Sequence, residues 1–141
     1  MPIPRSIEAR RYYRVALQRL EDGELIFWKL QRYPAAIYLA GYAIECILNA
    51  VILANSPDSR HLGIVRTLFR GARAHNPMIL YEHLRTSGSS PFPDAIRMDL
   101  TKVSTWSVDL RYNPSKGDAK EAREFLVRVR RIVEFAEQRL R

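Results

Sequence analysis

Tyr38, Tyr42, Glu45 and Asn49 follow one another at spacings of four, three and four. On a helix such residues share one face, so they draw a polar stripe along a stretch, Ala35 to Ala54, that is otherwise nearly all apolar. A carboxylate in that setting needs a partner, because an unpaired ion in an apolar core is strongly disfavoured. The best candidate is distant in sequence: Arg111, beside Asp109 and Tyr112. Two chemistries follow from that pairing. In one, Glu45 and Arg111 form an internal ion pair that locks helices together. In the other, Arg111 faces a cleft and forks onto a phosphate or other anion while Glu45 orients it.

The histidines offer proton transfer near neutral pH. Arg70-Gly71-Ala72-Arg73-Ala74-His75 sets an arginine and a histidine with four residues between them, a match that arises easily by chance in a chain with 19 arginines. His61, next to Arg60 in a turn, and His83, on a helix, read as surface or rim residues. The three histidines show no compact ligand spacing, and Cys46 is the only cysteine, so neither a metal site nor an intrachain disulfide is expected. Cys46 lies within the apolar stretch and reads as a structural thiol rather than a nucleophile. The sequence has no phosphate-cradling glycine loop and no Gly-x-Ser-x-Gly elbow, and no cofactor is expected. Tyr12, Tyr13 and Trp28 are of a type that stacks on bases, but their helical spacing among Leu and Ile fits core or interface.

The elements that must position these residues are helical. Ser6 reads as an N-cap for a helix running toward Arg32, with Tyr13, Leu17 and Leu20 buried and Gly23 loosening its middle. Tyr33-Pro34 stops it and opens a second helix to about Ala54, whose apolar character all round marks the central element. Gly41 fits a close helix crossing there. Asn55-Ser56-Pro57-Asp58 is a turn cluster. Leu62 to Phe69 reads as a short helix ending at Gly71, and Asn76-Pro77 opens another that stops near Ser87-Gly88. Ser89 to Pro93 is loop, and Asp94 caps a stretch through about Val103. Trp106 to Gly117 lacks clean periodicity. Asp118 and Glu121 have capping-box spacing before a last helix with Ala122, Phe125, Leu126, Val129, Ile132, Val133, Ala136 and Leu140 on one face. No run alternates long enough to demand a strand.

The expected fold is therefore all-α and a single domain over residues 1–141. A hydrophobic fraction of 47% is enough for an unstapled core. The apolar stretch matches a membrane span in length, but Glu45 and Asn49 near its middle favour a buried helix of a soluble bundle. No signal peptide is visible, which makes the cytoplasm the expected compartment. A net charge of +8 suits anionic partners such as nucleic acid, and equally a solvated arginine-rich surface.

The block Tyr38-Leu39-Ala40-Gly41-Tyr42-Ala43-Ile44-Glu45-Cys46-Ile47-Leu48-Asn49-Ala50 resembles the second-helix signature of one prokaryotic branch of the HEPN family. Trp106 and Leu110-Arg111-Tyr112 before a long terminal helix are similar to that branch's C-terminal half. The resemblance implies a four- to five-helix bundle that usually dimerises. Many members are metal-independent ribonucleases with an Arg-x4–6-His motif, often toxins paired with a minimal nucleotidyltransferase. There the arginine binds the scissile phosphate and the histidine moves protons during attack by the 2′-hydroxyl. With Arg111 as the motif arginine, the histidine positions hold Lys116, Gly117 and Asp118, and Asn49 replaces a lysine of the second helix. Lys116 remains able to bind phosphate. The implied module binds RNA, a nucleotide or a nucleotidyltransferase partner through Arg111, Tyr112, Lys116, Glu45 and Asn49. The alternatives are an active ribonuclease with a non-standard acid or base, and a purely structural interaction subunit.

Overall fold

Ser6 begins the first helix: its hydroxyl oxygen accepts the Ala9 amide at 3.0 Å, satisfying one of the orphan donors of the first turn. The computed structural model describes residues 6–71, 75–112 and 117–140, the side chains of 106–112 lying outside the described set. Helix α1 spans Ile7–Leu25 and buries Ala9, Tyr13, Ala16, Leu20 and Gly23. That alternation of four and three is the seam of a helix packed lengthwise on a neighbour. The neighbour is α2, Tyr33–Ala54, with which α1 forms an antiparallel hairpin.

The sequence predicts a helix continuous to Arg32, loosened at Gly23. The α-helix instead holds through Gly23 and widens at Ile26–Leu30 into a π-helical turn, which ends on Gln31 in the left-handed region (φ 52°). The Gln31 amide donates to the Ile26 carbonyl, closing the wide turn. Gly23 serves packing: a Cβ there would lie 3.0 Å from the Ala36 carbonyl oxygen and 3.4 Å from the Ala40 nitrogen. Gly23 thus makes a close crossing opposite the small residues of α2.

Helix α2 is the axis of the bundle, contacting α1 and three later helices, α4 (Pro77–Thr86), α5 (Asp94–Tyr112) and α6 (Ala119–Glu137). Every residue from Ile47 to Leu53 is buried. It is the one helix among the described residues long and apolar enough to cross a membrane. Asn55 ends it, its side-chain amide donating to the Val51 carbonyl at 2.8 Å and to the Arg139 carbonyl at 3.3 Å.

Helix α3 spans Asp58–Thr67, starting earlier than the apolar run Leu62–Phe69 suggests. Asp58 favours the first turn through the helix dipole, and Leu62 points outward at 60% exposure. Helix α4, Pro77–Thr86, opens as expected: the Asn76 side chain accepts the Met78 amide at 3.0 Å. The loop after it is pinned by Phe92, which is buried against Tyr81 and Phe135. Helix α5 spans Asp94–Tyr112, nine residues beyond the expected end at Val103. The segment Ser104–Tyr112 contains no Gly or Pro to interrupt it. Helix α6, Ala119–Glu137, is capped by Asp118, whose carboxylate accepts the Glu121 amide at 2.8 Å. Its buried face consists of the residues expected from their spacing.

The described residues thus hold six α-helices and no strand. The all-α bundle stands, with the short α3 and α4 raising the helix number above four or five.

Candidate nucleotide or nucleic-acid site

The polar stripe of α2 runs from surface to core. Tyr38 is 49% exposed, and its hydroxyl lies 3.0 Å from that of Tyr42, the rings meeting edge to face at 5.2 Å. One turn further in, the Glu45 side chain is only 13% exposed. Asn49 is buried at 3%, and its side-chain oxygen has no hydrogen-bond partner. Asn49 was expected among the ligand-binding residues. It lies in the enclosed C-terminal half of α2.

Glu45 meets a residue the spacing argument did not choose. His75, at the mouth of α4, brings Nδ1 within 2.9 Å of Glu45 Oε1. The imidazole is 44% exposed, so one edge is fixed by a carboxylate while the ring reaches solvent. His75 is also the histidine of the Arg70-x4-His75 match, with Arg70 exposed just beyond α3. Around the pair stand Tyr12 from α1, packed edge to face on Phe69 at 5.3 Å, and Cys46. Burial, with Cys46 and Glu45 nearby, holds the Tyr12 hydroxyl above its ordinary pKa. Burial and the neighbouring Glu45 push the Cys46 thiol up to about 11, which removes it as a nucleophile at neutral pH.

Arg111 and Tyr112 close α5. Their side chains lie outside the described set, as does Lys116, so the expected Glu45–Arg111 pair falls outside the described contacts. Of the other two histidines, His61 departs from the surface or rim expectation. His61 is buried at 3%: its Nε2 lies 2.9 Å from the Ser56 carbonyl oxygen and its Nδ1 3.8 Å from Glu8 of α1. His83 is half-buried, and burial together with Arg60 lowers its pKa.

A second polar centre went unseen in the sequence. Asp99 of α5, 3% exposed, accepts Arg128 Nη1 at 2.9 Å and Arg131 Nε and Nη2 at 3.0 and 2.8 Å. An isolated acid between Met98 and Leu100, facing arginines three apart on α6, is the only trace of it in the sequence. Among the described residues no group of His, Cys, Asp and Glu is arranged to hold a metal ion.

Neither the curated proteins nor the solved structures contain a match to the chain. The family model of the HEPN domain, however, matches residues 9–139, from the first buried turn of α1 to past the end of α6, and the chain belongs to the HEPN family.

Proposed function

We propose that this HEPN chain is an RNA- or nucleotide-binding module whose ligand enters a cleft between the outer part of the α2 stripe and the end of α5. The observation that carries the proposal is the Glu45–His75 contact in a family of nucleotide- and RNA-related domains. A carboxylate that fixes one ring nitrogen leaves the other free to meet a ligand, and Tyr38 and Tyr42 extend the same face outward. Arg111, Tyr112 and Lys116 supply the anion-binding groups in this reading. The working form is a cytoplasmic homodimer that pairs two clefts, and a minimal nucleotidyltransferase is the protein partner the family suggests.

A second reading is favoured by the same contact. Carboxylate and imidazole at 2.9 Å form an oriented acid–base pair, so His75 stands in for the histidine missing after Arg111 in a metal-independent ribonuclease. Incubation of the protein with mixed RNA in EDTA separates the two. Binding that falls steeply with salt and is lost in Arg111→Ala, without cleavage, supports the binding module. Cleavage abolished by either His75→Ala or Arg111→Ala establishes the nuclease. An RNA interaction indifferent to both substitutions refutes the cleft.

A further inference from the structure

Trp28 projects from the π-helical turn at 64% exposure, with its ring edge-on to the buried Phe27 at 4.8 Å. A large aromatic left that far in water yet propped from behind is a stacking platform by shape. Beside it, between the turn and α6, opens a pocket of about 190 Å³, floored by Phe27 and Leu126 and rimmed by Arg123 and Arg130. It is smaller than the roughly 300–1,000 Å³ of sites for drug-sized ligands, so it admits one flat ring rather than an enclosed cofactor.

The pocket does not end there. Arg123 and Val127 also line a shallow groove over Lys120, Arg128 and Arg131. Arg128 and Glu124 carry that groove on to Lys102 and Thr105 of α5. The groove is lined by five cations, against Glu124 and the buried Asp99. Asp99 fixes two of them in place: it grips one edge of Arg128 and Arg131 from beneath, leaving other N–H groups of each for a ligand. Lys102, Lys120 and Arg123 make no ion pair among the described residues. Arg130, in contrast, is committed to Glu24.

We propose that this face is a track for single-stranded RNA, separate from the Glu45–His75 cleft, with one base stacked on Trp28 and the following phosphates over Arg123, Lys120, Arg128 and Lys102. The inference rests on the RNA-binding reading above and adds a second contact surface to it. An aromatic platform at the head of a cationic groove is the chemistry of sequence-tolerant single-strand binding. A duplex is a poor occupant, since its bases are stacked within the helix and withheld from the ring.

The test is fluorescence anisotropy of a fluorescein-labelled oligouridylate of about 12 nucleotides, with a duplex of equal length as control, at about 50 mM salt. Trp28→Ala and Arg123→Glu are each expected to weaken single-strand binding by about tenfold or more, and Trp28→Phe to restore most of it. Both positions are exposed, so circular dichroism melts should match the parent. Arg111→Ala is measured in parallel. Loss in that variant alone sinks the track and keeps the cleft; loss in the Trp28 and Arg123 variants alone does the reverse. Unchanged binding in Trp28→Ala and Arg123→Glu overturns the proposal. So does a wild-type dimer that falls apart in Trp28→Ala with RNA affinity intact, since a second copy would then own the face. A parent protein that binds neither probe defeats this proposal and the RNA reading together.

Discussion

Burial on α2, and after it the neighbouring Glu45, decide the chemistry of Cys46. With a pKa near 11, the thiolate is scarce at pH 7.5, so alkylation by iodoacetamide should run about a hundredfold slower than for a free cysteine. Mass spectrometry of timed samples checks this, and modification at the free-thiol rate would contradict the burial. His83 gives a pH dependence whose sign is fixed by its cause. Burial and Arg60 disfavour the imidazolium in the folded state, so the folded pKa lies below the unfolded value near 6.5. The associated stability is complete above pH 6.5 and is lost as the pH falls toward the folded pKa. The drop in Tm between pH 7 and pH 5 should therefore shrink in His83→Gln. At this scale the sequence was half legible. The α2 stripe could be read because it obeys helical spacing, and the inert thiol because its neighbours are apolar. The partner of Glu45 could not, because His75 lies 30 residues away in sequence, between α3 and α4, and is brought near by their path. His61 looked like a turn residue because nothing in Ser59-Arg60-His61 reports that α1 covers it.

Two glycines of the helices behave oppositely under the same substitution. Gly63 sits within α3 with nothing within 4 Å of an added Cβ, so Gly63→Ala should stabilise by about 0.5–1 kcal/mol through helix propensity. Gly23 faces the α2 backbone at 3.0 Å. There Gly23→Ala should destabilise by about 1–3 kcal/mol as the crossing is forced apart. Urea unfolding of the pair tests the packing of the α1–α2 hairpin directly. Between α5 and α6 the joint is ionic. Asp99→Ala removes three charge-assisted bonds and should cost about 1–3 kcal/mol, held down because Arg131 keeps half its surface in water. A smaller loss on chemical denaturation would show that the arginines find other acceptors. Elements with strong amphipathic spacing, α6 above all, were legible to the residue. The extent of α5 was not, since its polar second half carries no period to read. The π-helical turn was not either, because Ile26, Phe27 and Leu30 fit an α-helical pattern equally well.

At the scale of the molecule, the block from Tyr38 to Ala50, together with Trp106, Leu110-Arg111-Tyr112 and the long terminal helix, pointed to the family that the HEPN match over residues 9–139 shows. What the chain binds was not legible in the same way, since it depends on surfaces assembled from α1, α2, α5 and α6 together. That assembly also has an order in time. Helix α2 ends at Ala54, whereas α6, which covers much of it, begins only at Ala119. A ribosome adding about 5–20 residues per second takes roughly 3–13 s to cross the interval. For those seconds the nascent chain displays a 22-residue apolar helix with only α1, and later α3 to α5, to shield it. A chain stopped at Gly117 should accordingly bind chaperones or pellet on expression, and a soluble, cooperatively folding product would show that the hairpin shields itself. The residue pattern that gives the bundle its axis makes its synthesis the most exposed moment of the protein's life.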